Sequence, residues 1–208
     1  MPESFVEVRD EPRHRRRFEN AFARVYDVLV PPGERTLFHR HTEDTLYVSI
    51  LAARVSDQSF GSEELRSAEV PAGICVCRPH RSEPLIHRVA NAGAGDMRMI
   101  GAELKASPPQ VSQRPLEAPG HELAFETPRL RAYRLALPAG AALPEFEYGF
   151  SGLSVALTPG CLALRDAGGA SRTLALAAGD ALWHAGPQRL ALANAGETDF
   201  AAVVAEWR

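Results

Sequence analysis

The 208-residue sequence has no apolar run approaching the roughly 18 residues that a membrane-spanning helix requires. Its first 20 residues are charged and lack the apolar stretch of a secretory signal. Cysteine is scarce, and the three present, Cys75, Cys77 and Cys161, make no paired framework. Cys75 and Cys77 alternate with Ile74 and Val76, so they share one strand face at a spacing unsuited to a mutual disulfide. They read as small apolar core residues in a reducing compartment. Strong helical periodicity is missing too: no such pattern runs beyond two turns, and no helix-turn-helix is apparent. The formal net charge is −3, with no basic stripe through the body of the chain. The single basic run, Arg13-His14-Arg15-Arg16-Arg17, is flanked by Glu7, Asp10, Glu11 and Glu19, and reads as a solvated N-terminal segment. These absences lead us to expect a cytoplasmic protein with neither a nucleic-acid nor a membrane partner.

What is present is an ordinary globular balance, 45% hydrophobic and 24% charged, on a chain long enough for one large domain or two of about 100 residues. An internal repeat decides between them. FENAFARVYDVLVPPGERTLFHRHTEDTLYVSI, from Phe18, aligns without a gap on FETPRLRAYRLALPAGAALPEFEYGFSGLSVAL, from Phe125, at a constant offset of 107. The alignment pairs Arg24 with Arg131, Tyr26 with Tyr133, Gly33 with Gly140 and Val48 with Val155. A second block, from His87, aligns on the stretch from Leu190 at an offset of 103, pairing Asn91 with Asn194 and Glu103 with Glu206. The Pro-rich, polar stretch beginning at Ala106 reads as a linker. The expected organisation is a first domain over 1–105, a linker over 106–122 and a second domain over 123–208.

Each half reads as β. Apolar runs at 25–30, 46–51, 74–77 and 97–104, and at 131–137, 153–157, 161–165, 173–177 and 201–207, are separated by Gly, Pro, Asn and Asp clusters such as Pro31-Pro32-Gly33. Many short strands at regular spacing suggest a sandwich or a jelly-roll barrel.

Candidate chemistry concentrates at His39-Arg40-His41. On a strand, residues i and i+2 share a face, so both imidazoles would enter the same lumen. Neutral imidazole is the commonest transition-metal ligand among side chains, and His87 supplies a third. At the repeat offsets His39 becomes Phe146, His41 becomes Tyr148 and His87 becomes Leu190, so the second half loses all three together. His184 has no partner histidine at strand spacing.

These residues carry a resemblance. Gly33, five residues, then His39-Arg40-His41 resembles the first cupin motif; Gly73, Pro79 and His87 with Asn91 resemble the second. The resemblance implies an all-β chain of two cupin barrels (jelly rolls, or double-stranded β-helices) from a duplication. It also implies a metal site of His39, His41 and His87 in the first barrel alone. Two departures stand out. Thr45 takes the place where most such sites carry a Glu, and Glu43 and Asp44 lie slightly early, leaving open whether either completes the site. Pro79 lies eight residues before His87, so the loop His80–Leu85 is longer than usual and is expected to cap the cavity mouth. A three-His set is similar to that of cupins resembling thiol and diketone-cleaving dioxygenases. The implied function is a metal-dependent oxygenase acting on a small organic molecule, with one divalent ion, Fe first and Zn, Mn or Ni as alternatives. A metal-dependent isomerase or lyase, or a non-catalytic binding protein, remains open, as does a monomer or a homodimer. If Thr45 faces inward, strand parity turns Tyr47 and Ser49 inward with it, Tyr47 being the candidate catalytic phenol. Arg35 and Arg78, near strand ends, are candidates for holding a substrate carboxylate.

Overall fold

The computed structural model describes residues 4–208. The chain divides into two compact units, the first ending at Ala106 and the second spanning Ser107–Arg208. The division falls at the start of the Pro-rich stretch, and His121 and Glu122 already belong to a strand.

In the first unit the strands are β1 (Val6–Glu7), β2 (His14–Glu19), β3 (Ala23–Val30), β4 (His39–His41) and β5 (Thr45–Ser49), then β6 (Ala53–Ser59), β7 (Leu65–Val70), β8 (Cys75–Arg78), β9 (Leu85–Asn91) and β10 (Met97–Leu104). They form two five-stranded sheets, ordered β2-β3-β10-β5-β8 and β1-β4-β9-β6-β7. The second unit has β11 (His121–Thr127), β12 (Leu130–Leu137), β13 (Ala142–Tyr148), β14 (Gly152–Ala156) and β15 (Gly160–Asp166). It ends with β16 (Ser171–Leu176), β17 (Ala181–His184), β18 (Gln188–Asn194) and β19 (Phe200–Trp207). Its sheets are ordered β11-β12-β19-β14-β17 and β13-β18-β15-β16. Taken strand by strand, the two orders are the same, except that the first unit adds β1, which pairs parallel with β4. The repeat in the sequence is therefore a repeat of topology.

The paired residues explain why the repeat persists. Pro31-Pro32-Gly33-Glu34 and Pro138-Ala139-Gly140-Ala141 are the same turn, closed by the fourth residue's N–H on the first carbonyl at 3.1 and 3.0 Å. The third position has a φ of 74° in one and 71° in the other, which a glycine adopts without strain. Asn91 and Asn194, each 1% exposed, are equivalent bolts. Asn91 donates to the carbonyls of Val30 and Gly95 and accepts from the Gly93 amide; Asn194 does the same with Leu137, Thr198 and Gly196. Arg24, Tyr26 and Glu103 form one buried cluster, and Arg131, Tyr133 and Glu206 form its copy.

All nine apolar runs read as strands in the sequence are strands here. Those not read from periodicity include polar edge strands as well as interior ones such as β9 and β18. β7, for example, is exposed along nearly its whole length and has no buried face to impose an alternation. The Arg13–Arg17 run is a correction of another kind: it lies mostly in β2, and His14 within it is buried while Arg15, Arg16 and Arg17 stay exposed.

Candidate metal centre

The short strand β4 places His39 and His41 on one face, 1% and 2% exposed, while Arg40 turns away to pair with Glu7. β9 runs antiparallel beside it and sets His87 directly opposite His39. The ring centroids of His87 lie 4.7 Å from His39 and 5.2 Å from His41. A residue that the sequence reading left in a solvated segment joins them. His14, from the opposite sheet, has its ring 4.6 Å from that of His39. Among the described residues, His14, His39 and His41 form a group whose ligand atoms all lie within 4.8 Å of one another. His80, in the long loop before β9, stacks on His41 at 5.0 Å. All five histidines of this unit thus line one cavity of about 680 Å³. A signal for His14 existed: carried four residues back from Phe18, the constant offset sets His14 against His121.

Hydrogen bonding fixes which nitrogen each ring presents. The Nδ1 of His39 donates to the Leu37 carbonyl at 2.9 Å, and the Nδ1 of His14 donates to the Glu11 carboxylate at 2.7 Å. The Nδ1 of His87 donates to the Asp57 carboxylate. For His41 the assignment runs through a chain. His80 donates from Nδ1 to the Glu83 carbonyl, so its Nε2 accepts from the Tyr47 hydroxyl at 3.2 Å. That hydroxyl, its one proton spent, accepts from the Nδ1 of His41 at 3.3 Å. Each of His14, His39, His41 and His87 therefore carries its lone pair on Nε2, the form a metal requires. The carboxylate–imidazole pairs Glu11–His14 and Asp57–His87 are the supports usual behind metal-bound histidines.

Electrostatics agree with this arrangement. Burial, followed by the neighbouring His14 and His87, pushes the His39 imidazole down to about 3. Burial and the other imidazoles hold His41 well below the ordinary histidine value. Burial pushes the Glu11 carboxyl up, but the His14 imidazole with the Leu37 and Arg13 amides outweighs it and holds Glu11 below its usual value. Imidazoles held neutral at His39 and His41, with the Glu11 carboxylate behind His14, are a donor set that fits a divalent transition metal.

The other candidate residues are placed as follows. Tyr47 and Ser49 line the cavity, the Ser49 hydroxyl donating to the Leu51 carbonyl at 2.9 Å. Burial pushes the Tyr47 phenol up, so it stays protonated at neutral pH. Arg78 also lines the cavity. Thr45 is buried, but its hydroxyl turns to the Glu43 carbonyl at 2.8 Å and it is not part of the cavity wall. Arg35 is exposed outside that wall. Glu43 and Asp44 both engage Arg81, through its guanidinium and its amide respectively, and neither enters the cavity. The long loop contributes His80, Glu83, Pro84 and Leu85 to the wall.

No sequence-family model matches this chain, and no curated protein matches it in sequence. Solved structures do. The salicylate 1,2-dioxygenase of Pseudaminobacter salicylatoxidans superposes with a TM-score of 0.60 at 16% identity, over 89% of this chain and 71% of that one. AerE from Microcystis aeruginosa gives 0.57 at 10% identity, over 95% and 98%. A cupin 2 conserved barrel domain protein from Leptotrichia buccalis gives 0.55 at 10%, over 93% and 87%. The fold is the cupin fold, present twice. At these identities the likeness concerns the fold alone.

The second cupin barrel shows what replaces the site. Phe146 and Leu190 pair in the register of His39 and His87, and Tyr148 stands where His41 would. All three belong to an apolar core with Tyr133, Phe150 and Leu192. His121, the counterpart of His14, remains, but its Nε2 accepts from the Tyr148 hydroxyl at 2.7 Å while its Nδ1 donates to the Pro119 carbonyl. The cavity next to this core is only about 110 Å³. His184 stacks on Tyr148 at 4.9 Å, and burial pushes its imidazole down to about 4. An unfolded histidine titrates near 6.5, so between pH 6.5 and 4 the unfolded chain binds the extra proton. Acid then destabilises the fold, progressively and by up to about 3 kcal/mol in total. Thermal melts over this range should show His184→Phe flattening the slope; an unchanged slope would show that His184 does not carry it.

No helix among the described residues is long and apolar enough to cross a membrane.

Proposed function

We propose that the first barrel is a metal-dependent oxygenase acting on a small organic molecule bound in its cavity. The observation that carries this reading is the convergence of the imidazole ligand atoms of His39 and His41 on β4 and His14 on β2, with the His87 ring of β9 beside them, in a cavity large enough for a substrate. His39, His41 and His87 are assigned as ligands. A bound Fe(II) would supply a centre able to hold a substrate anion and O2 at neighbouring positions, and it is favoured over Zn, Mn and Ni.

The remaining roles belong to the chain itself. Val28, Val55, Val89, Met97 and Met99 form an apolar wall that excludes water and packs the body of the substrate. Arg78 is the cation on the wall suited to a carboxylate. The Tyr47 phenol, its proton directed to His80, is placed to hold or pass a proton at its hydroxyl oxygen. Ser49 is a further polar contact, and Thr45 and Arg35, outside the wall, act through packing and surface charge. The similarity in fold to a salicylate 1,2-dioxygenase supports testing aromatic and aliphatic carboxylic acids first.

The test is reconstitution with Fe(II) under anaerobic conditions, followed by O2-electrode measurements against a panel of such acids and small thiols. Substrate-dependent O2 uptake that disappears in the metal-free protein is expected. Turnover of a substrate without O2 uptake would move the assignment to an isomerase or lyase. Tight metal binding with no turnover of any kind would leave a binding protein.

A further inference from the structure

We infer that His14 is a metal ligand, a fourth imidazole delivered to the centre from the opposite sheet and held in place by Glu11. This rests on the metal reading above and deepens it. Neither cupin-like motif contains His14; His39, His41 and His87 all come from the β1-β4-β9-β6-β7 sheet, whereas His14 opens β2 on the other.

Three observations carry the inference. The first is position. The ligand atoms of His14, His39 and His41 fall within 4.8 Å of one another, so one ion can touch all three after small side-chain adjustments. The second is the proton inventory. Glu11 accepts the Nδ1–H of His14 at 2.7 Å, which leaves Nε2 as a lone pair without a proton to offer. That is the tautomer a metal ligand requires. The third is the support behind it. Glu11 is 2% exposed and its carboxylate is fully engaged: Oε2 accepts the amides of Arg13 and His14 at 2.8 and 3.1 Å, and Oε1 accepts the Leu37 amide at 3.2 Å. Leu37 is also the residue whose carbonyl orients His39. One buried carboxylate thereby fixes His14 and ties it to the segment that carries the His-x-His pair. Burying a carboxylate this deeply is costly unless its partners are worth it, and a metal-bound imidazole is such a partner.

The consequence is a centre unlike a three-His site. Where many cupin sites carry a Glu after the His-x-His pair, this chain has Thr45, whose hydroxyl donates to the Glu43 carbonyl. His14 fills the missing fourth protein position with a neutral donor, and the compensating charge is moved outward to Glu11 and Asp57. Four imidazoles leave two open positions on an octahedral ion and none on a tetrahedral one. The centre should therefore keep substrate-binding sites on Fe(II), Mn(II) or Ni(II) and lose them on Zn(II).

The test loads the full chain with Cu(II) and with Fe(II), as wild type, His14→Ala, His14→Gln and Glu11→Gln. Circular dichroism and thermal melts confirm that each variant is folded. In the wild type, the nitrogen hyperfine pattern of the Cu(II) protein should count four imidazoles. Both His14 variants should show three and bind either metal at least about tenfold more weakly, a loss at or above that typical of removing a supporting group behind a ligand. Glu11→Gln should keep four nitrogens but weaken binding by about 10–100-fold, as a positioning residue would. A folded His14 variant with wild-type affinity and an unchanged nitrogen count would overturn the inference while leaving the metal reading standing. A wild-type protein that takes up neither metal would sink the metal reading itself, and His14 as a ligand with it.

Discussion

His39→Ala/His41→Ala is expected to lose its metal, falling from about one ion per chain to background, with both barrels still folded. The size of the effect follows from the geometry. Both side chains are nearly inaccessible, share one strand face and supply two of the converging lone pairs. Losing a supporting group behind a ligand already costs about 10–100-fold in affinity, and losing two ligands exceeds that. The fold should tolerate the change because the cavity is already open, and alanine strips no hydrogen bond from a strand ladder. The second barrel provides a gentler design. His39→Phe/His41→Tyr/His87→Leu copies the residues found at the equivalent positions, which there pack into a continuous apolar core. Elemental analysis alongside thermal melts decides the matter, and a folded double variant that keeps stoichiometric metal would exclude both histidines as ligands.

Glu206→Ala is expected to destabilise the second barrel by about 3–5 kcal/mol. Glu206 is inaccessible to solvent; it accepts from Arg131 at 3.1 Å and from the Tyr133 hydroxyl at 2.8 Å. Removing it strands a guanidinium that is itself 3% exposed, with only the Ser112 and Gln113 carbonyls and Glu126 left to compensate. The equivalent Glu103→Ala should cost less. Arg24 is more exposed and keeps Glu19 at 2.9 Å, and the Tyr26 hydroxyl contact is already long at 3.4 Å. Urea titrations of the two variants measure the difference. A Glu206→Ala midpoint indistinguishable from the wild type would show that the buried pair contributes nothing net.

These two predictions draw on different kinds of information. Arg24, Tyr26 and Glu103 and their counterparts were visible as repeated letters before any contact between them was known, because a buried ion pair tolerates few substitutes. The turns at Gly33 and Gly140 were visible for a similar reason, a backbone requirement at one position. His39 and His41 were legible as a pair because the two-residue strand period is local. Polar edge strands such as β7 were not, since a strand with no buried face leaves no alternation to read.

The sequence by itself determined the all-β class, the duplication, and the loss of three histidine positions from the second barrel; each depends on local period or on comparing the chain with itself. Only the tertiary structure decided which histidines meet. His14 lies among arginines in sequence and 25 residues from His39, yet the closing of one sheet over the other sets their rings 4.6 Å apart. It likewise decided that the Thr45 hydroxyl is taken up by the Glu43 carbonyl, that Glu43 and Asp44 engage Arg81, and that Glu11 and Asp57 stand behind the imidazoles. A ligand set is a property of convergence in space, and convergence between strands of different sheets leaves no fixed spacing in the chain.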